Sequence, residues 1–166
     1  HLKEIMKISK CICYKCSKLL INKNDHKHVY DMPAEKRWNY VYSNASKTKR
    51  CGEITDNGCG CKQPDNVRRD GLATIFAEWT GGGDEEEKMS VRLVPETVLK
   101  IFKRISNEDV DFMGFNSTFS RPEWMICEVM IVPPPAIRPS IKHDAQQRSE
   151  DDITHILVNI IKVNNL

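Results

Sequence analysis

The chain has 166 residues, 40% of them hydrophobic and 29% charged, with a formal net charge of +2. That length allows one or two small domains with a modest core, and the mixed composition excludes a chain that is disordered throughout. A charge of +2 is too small for a dedicated nucleic-acid binder working by bulk electrostatics. No run of about 18 apolar residues exists to cross a membrane as a helix. The chain begins at His1 without an initiator methionine and ends inside an expected helix, as a piece of something longer would.

Leu2, Ile5, Met6 and Ile8 give a short apolar face that leads into the knuckle Cys11-Ile12-Cys13-Tyr14-Lys15-Cys16. Leu19, Leu20 and Ile21 follow as an apolar run, closed by the polar turn Asn22-Lys23-Asn24-Asp25. His26 and His28 sit in a loop rich in Lys and Asp and read as solvated rather than ligating. A helix is expected from Pro33 to about Ser43, since proline suits a first helical turn and Trp38, Val41 and Tyr42 share one side. The run Lys47-Thr48-Lys49-Arg50 reads as a solvated connection into Cys51. Cys51 and Cys59-Gly60-Cys61 then answer the first cysteine cluster.

Six of the seven cysteines fall in these two clusters. A C-x-x-C turn brings two thiolates to one tetrahedral ion, and a distant pair can complete the shell. Structural Zn²⁺ takes four such soft ligands at about 2.3 Å. Cys13 and Cys16 form the C-x-x-C unit, which leaves Cys11 as the spare. Cys51 is needed on the distal side, and either Cys59 or Cys61 supplies the fourth bond. Gly52, Gly58 and Gly60 flank the distal pair, where the backbone must turn tightly to aim sulfur inward. The competing reading is a disulfide framework or a set of buried free thiols. The odd count and the neighbouring Lys and Arg, which favour thiolates, weigh against it.

Lys62 to Gly71 reads as a turn-rich connector. A strand is expected over Leu72–Thr80, carrying Leu72, Ile75, Phe76 and Trp79, with a return over Met89–Val94 to make an antiparallel hairpin. Its tip, Gly81 to Glu87, is acidic, and no Lys-Ser/Thr follows the glycines to form a phosphate cradle. Pro95 starts a helix in which Val98, Leu99, Phe102 and Ile105 recur at helical spacing. Ser106 is expected to cap a second short helix, with Asp109 at the capping-box position and Gly114 at its end.

Cys127 lies in the apolar run Ile126–Val132 and is expected in the core. Pro133-Pro134-Pro135 cannot join a ladder, so it imposes a stiff connector and marks the one expected boundary, between regions 1–132 and 133–166. After the polar stretch Lys142 to Arg148, Ser149 is the expected N-cap of a last helix. Glu150, Asp151 and Asp152 oppose the positive end of its dipole, and Ile153, Ile156, Leu157, Ile160 and Ile161 form an apolar stripe that needs a partner surface. The sequence contains no Ser/His/Asp order with recognisable flanks, no Walker motif, no H-E-x-x-H and no clustered carboxylates for two-metal chemistry.

Several longer motifs fall in a fixed order: Gly114-Phe115-Asn116, Phe119-Ser120-Arg121-Pro122-Glu123-Trp124-Met125, Val132-Pro133-Pro134-Pro135, Arg138-Pro139-Ser140 and Gln147-Arg148-Ser149-Glu150-Asp151-Asp152. They resemble the clamp region of the largest subunit of eukaryotic-type multisubunit DNA-directed RNA polymerase, closest to RNA polymerase II and the polymerases of large DNA viruses. The resemblance runs from the knuckle Cys13-Tyr14-Lys15-Cys16-Ser17-Lys18-Leu19-Leu20 through the last helix. It implies a clamp-head Zn²⁺ held by Cys13, Cys16, Cys51 and Cys59, the last from a Gly-Cys-Gly…Gln-Pro turn. Cys61 falls where the family does not require cysteine.

The resemblance further implies an α+β fold. A zinc-stabilised irregular head with short helices and a small antiparallel hairpin would occupy 1–132. The proline connector, a lid-like loop and the first clamp-core helix would follow over 133–166. The clamp of that family is a mobile wall that closes over the DNA–RNA hybrid. The family's catalytic aspartates, and the Mg²⁺ they bind, belong to the full polymerase and not to this segment. Implied partners are the other polymerase subunits, especially the second-largest, with template DNA and the hybrid, and no membrane. Gln147 and Arg148 are the residues expected nearest nucleic acid. The implied location is the nucleus for a cellular source, or a cytoplasmic virus factory or virion for a viral one. A free-standing zinc-binding interaction module would explain the cysteines but not the ordered motifs from Gly114 to Asp152. An independent zinc hydrolase is disfavoured because four cysteines leave no open coordination position.

Overall fold

A computed structural model describes residues 1–55, 57–71, 73–81, 88–144 and 147–165. Leu72, the acidic hairpin tip from Gly82 to Glu87 and part of the polar stretch after Lys142 lie outside the described residues. Mixed helices and small antiparallel sheets make the chain an α+β protein. It divides into two compact units, His1–Ile126 and Cys127–Leu166, a division that falls ahead of the proline tract. No helix among the described residues is long and apolar enough to cross a membrane.

In the first unit, α1 spans Leu2–Cys11 and buries Ile5, Ile8 and Cys11. Their spacing of three puts them on one face, which turns toward α2, Ala34–Ala45. That second helix starts directly after Pro33 and buries Val41 and Ala45. The two helices are also tied by the Trp38 indole N–H, which donates to Glu4 Oε2 at 3.0 Å. Between them runs a short 3-10 helix, Lys27–Asp31, whose Val29 is fully buried.

Three strands follow in antiparallel order: β1 Asn66–Asp70, β2 Thr74–Thr80 and β3 Lys88–Leu93. The β2–β3 pair is the expected hairpin, with Ile75 opposite Leu93 and Trp79 opposite Met89. The additional strand corrects the reading of Lys62 to Gly71 as a connector. Only Val67 of β1 is apolar and buried, so the segment carries no alternation to read. Its pairing rests on partners distant in sequence: Val67 lies opposite Ala77, and Arg68 forms an ion pair with Glu78 while its guanidinium sits 5.1 Å from the centre of the Phe76 ring.

Helix α3, Pro95–Lys103, buries Val98, Ile101 and Phe102. Helix α4, Asn107–Phe112, is capped by Ser106, whose hydroxyl accepts the Asp109 N–H at 3.1 Å. It ends at Gly114, φ +90°, where an added Cβ would fall 2.5 Å from the Ala34 carbonyl oxygen. These elements enclose one core, in which Ile8, Ile12, Val29, Val41, Phe102, Val110, Phe112 and Met113 meet the thiols of Cys11 and Cys13.

The second unit holds a two-stranded ladder, β4 Ile141–Lys142 with β5 Arg148–Ser149, and helix α5, Asp152–Asn164. Two expectations are corrected here. The N-cap of α5 is Asp151, whose carboxylate accepts the Ile153 N–H at 2.8 Å, because Ser149 is already committed to β5 two residues earlier. Cys127 is exposed rather than in the core. The run that carries it forms no described strand, and its Val129 and Ile131 stand 85% and 89% exposed. Apolar composition alone did not bury it. Arg138 ties the proline segment to α5, donating from Nε to the Pro133 carbonyl at 2.9 Å and from Nη1 to Thr154 Oγ1 at 3.2 Å.

Candidate metal centre

Helix α1 ends at Cys11, and Ile12 turns the backbone extended. A tight knuckle follows, closed by Cys13 N–H to Lys18 O at 2.8 Å, Ser17 N–H to Cys13 O at 2.9 Å and Leu20 N–H to Cys11 O at 2.9 Å. Ser17 takes a left-handed backbone, φ 62°, and its buried hydroxyl has no hydrogen-bond partner. The knuckle is therefore strained at the residue that follows its second ligand candidate.

The distal loop closes separately. Cys51 N–H donates to Cys61 O and Gly60 N–H donates to Cys51 O, each at 3.0 Å. Gly52, φ +91°, passes against Gly58 so closely that a Cβ on Gly58 would lie 2.1 Å from Gly52 Cα. Only two glycines permit that crossing. It turns Cys51 and Cys59 toward the knuckle.

The outcome is a group of four thiols. The sulfurs of Cys13, Cys16, Cys51 and Cys59 all lie within 4.8 Å of one another. Cys13 and Cys59 approach to 3.5 Å, and Cys16 and Cys51 to 3.6 Å. Tetrahedral Zn–S arms of about 2.3 Å set sulfur–sulfur edges at about 3.8 Å, so the group has the right size for a metal ion. An all-sulfur set suits a soft or borderline ion and leaves no coordination position for a reacting water.

The protonation pattern agrees with this. Burial opposes ionisation of Cys13, yet the N–H groups of Cys16 and Lys15, aided by the neighbouring thiols, bring it down to about 7. Burial pushes Cys51 up to about 12 and raises Cys16 as well. One thiolate forms readily, and a second beside it is opposed. Four together require a cation to offset their repulsion.

The other two clustered cysteines stand outside the group. Cys11 is fully buried in the core, and that burial drives its thiol up to about 12. Cys61 is half-buried, its thiol directed to the Lys62 carbonyl at 3.5 Å. The histidines are elsewhere: His28 is exposed, while half-buried His26 pairs its Nδ1 with the Tyr40 hydroxyl at 2.9 Å. In the second unit, Gln147 and Arg148 are exposed, and the Gln147 carbonyl accepts the His143 N–H at 3.0 Å.

Sequence reading missed one residue of the centre. Gln63 is 3% exposed, and its side chain reaches Tyr14, Cys13 and Cys61 at once. The signal that could have found it was its place in the Gly-Cys-Gly…Gln-Pro turn, which pointed to Cys59 but gave the glutamine no role. The sheet also bears on the site: Trp79 of β2 donates its indole N–H to Lys62 O at 3.2 Å and meets the Tyr14 ring edge-on at 5.6 Å.

One comparison with known proteins identifies the setting of this centre. The family model described as RNA polymerase Rpb1, domain 1, matches residues 1–166, the whole of the chain. The chain therefore belongs to that family, the N-terminal region of the largest subunit of the multisubunit DNA-directed RNA polymerase, a nucleotidyltransferase complex.

Proposed function

We propose that the chain is the clamp head and lid region of its polymerase, of the type closest to RNA polymerase II, with Zn²⁺ as its structural tie. The observation that carries this reading is the convergence of Cys13, Cys16, Cys51 and Cys59 in a chain matched end to end by the family. These four cysteines hold the ion, which supplies cross-linking and no chemistry on substrate. The knuckle and the distal loop have few regular elements of their own, so the tie orders them.

The polar stretch Lys142 to Arg148 is the lid-like loop, and α5 is the first helix of the clamp core. In the assembled enzyme the clamp closes over the DNA–RNA hybrid beside the second-largest subunit. Gln147 and Arg148 then lie close to nucleic acid. The chain serves nucleotidyl transfer by holding the hybrid, and the catalytic aspartates with their Mg²⁺ belong to other parts of the polymerase. It works in the nucleus of a cellular source, or in the virus factory or virion of a viral one.

Two measurements test this. Metal analysis of the purified chain is expected to return about one zinc per chain, lost in Cys59→Ser and kept in Cys61→Ser; substantially less zinc in the unmodified chain would sink the metal reading. Photocrosslinking from position 148 in a complete elongation complex is expected to reach nucleic acid. Crosslinks to protein alone would remove the contact role of Gln147 and Arg148.

A further inference from the structure

Gln63 is a buried side-chain amide, and a buried amide needs both its oxygen and its nitrogen satisfied. Its Oε1 accepts the Tyr14 backbone N–H at 3.0 Å, and its Nε2 donates to the Cys61 carbonyl at 2.8 Å. A backbone N–H can only donate and a carbonyl can only accept, so these two bonds fix which end of the amide is which. The remaining Nε2 hydrogen is then left for the Cys13 sulfur, 3.3 Å away. A sulfur facing an N–H is an acceptor, and the thiolate fills that role far better than the thiol.

The residue is itself well anchored. Its backbone N–H donates to Lys49 O at 2.8 Å, and Pro64 follows, restricting the Gln63 backbone to extended conformations. One side chain thus joins the knuckle at residues 13 and 14 to the distal loop at residue 61, with its donor aimed at one of the four sulfurs. It also occupies the carbonyl of Cys61, the cysteine whose thiol stays outside the group.

We infer that Gln63 is a positioning residue of the metal centre: its amide orients Cys13 and holds it as an anionic ligand while bracing the two halves of the site against each other. This rests on the zinc reading above. Groups that hydrogen-bond to metal ligands typically contribute 10–100-fold to metal affinity, and Gln63 falls in that class.

The test uses the full 166-residue chain. Zinc affinity is measured by competition with a chromophoric chelator, and the cobalt-loaded chain is read through its sulfur-to-cobalt charge-transfer band. Gln63→Met removes all three bonds. Gln63→Glu keeps an oxygen for Tyr14 but sets a carboxylate oxygen against the Cys13 sulfur and the Cys61 carbonyl. Thr48→Val is the control: it removes the buried bond from Thr48 Oγ1 to Leu20 O, 2.9 Å, which touches no sulfur of the group.

Gln63→Met is expected to weaken zinc binding on the order of 10–100-fold and to shift the charge-transfer band, with a larger loss in Gln63→Glu. Thr48→Val is expected to lower the melting temperature while leaving affinity and band as in the unmodified chain. Gln63→Glu with unchanged affinity and an unshifted band would overturn the inference, and this near-isosteric variant decides the matter if Gln63→Met does not fold. An unmodified chain that takes up no zinc would overturn the metal reading itself, a result distinct from failure of Gln63 alone.

Discussion

Helices α3 and α5 both carry apolar residues at helical spacing and end in different states. In α3, Phe102 is sealed from solvent and Val98 is 3% exposed. In α5, Ile156 and Ile161 remain 56% and 59% exposed, and the helix buries no residue. The contrast extends to the units that hold them: every buried hydrophobic side chain among the described residues lies in the first unit, between Ile5 and Pro122. Periodicity specifies that a segment can be a helix with one apolar side. Burial needs a second surface, which the first unit builds from α1, α2, the sheet and α4. What holds α5 in the second unit is local: the Asp151 cap and the bond from Arg138 to Thr154. A 13-residue helix held by such contacts is marginal by itself.

The largest expected effect would break the contrast or secure it. Structural zinc of this class contributes binding free energy on the order of 10–16 kcal/mol, so chelation is expected to abolish hydrogen-exchange protection across the knuckle and α2. The slowest amides of α5 should keep the rates they had, since no ligand lies in that helix. Equal loss of protection in both units would end the distinction drawn here.

Substitution in the two helices sharpens it. Phe102→Ala empties a fully buried site and is expected to cost about 3–5 kcal/mol, enough to unfold many domains of this size. Ile156→Ala, at an exposed position, is expected to stay within about 0.5 kcal/mol in the same chain. Denaturant unfolding followed at both helices measures each, and comparable losses would show that α5 has a packing partner.

The smallest effect concerns pH. The Thr80 N–H, 2.8 Å from Asp65 Oδ2, and the Lys49 ammonium hold the Asp65 carboxyl below its ordinary range. A depressed carboxyl adds stability above its ordinary value, and that stability is lost as the pH falls below about 4. Asp65→Asn is expected to cost about 0.5 kcal/mol at neutral pH, a figure reduced for solvent exposure. The acid limb of the first unit's stability curve should flatten in this variant. An unchanged acid limb would remove the linkage.

The sequence was most legible where chemistry is local. Cysteine spacing marked both halves of the thiol group, because a C-x-x-C turn needs only four residues to present two sulfurs. The choice of Cys59 over Cys61 was not available from spacing; it came with the resemblance. Ser106 was readable as a cap because its partner N–H is three residues away. Strand β1 was not readable, since Asn66–Asp70 draws its stability from β2 and has only Val67 to mark it. Gln63 stands in the Gln-Pro turn of the resemblance, but its role is not readable there, as two of its three partners lie about fifty residues earlier. Ser149 and Asp151 are equally good caps in isolation, and strand pairing at Ser149 decides between them. Cys127 shows the limit of composition: an apolar run reads as core, yet Cys127, Val129 and Ile131 are exposed.

The crossing of Gly52 and Gly58 has a genetic consequence. Neither glycine offers an atom to the sulfur group, yet a single methyl at Gly58 would collide with Gly52 Cα at 2.1 Å and force the two backbones apart. The segment they pinch carries Cys51 and Cys59 at its margins, so separating the backbones withdraws two sulfurs together. A Gly58→Ala allele is therefore expected to phenocopy loss of a cysteine and to purify with less zinc although all seven thiols are intact. Full zinc content in that protein would mean the loop can reopen without moving its ends. In an inheritance screen, lesions at these two positions would score as metal-site mutations although no ligand had changed.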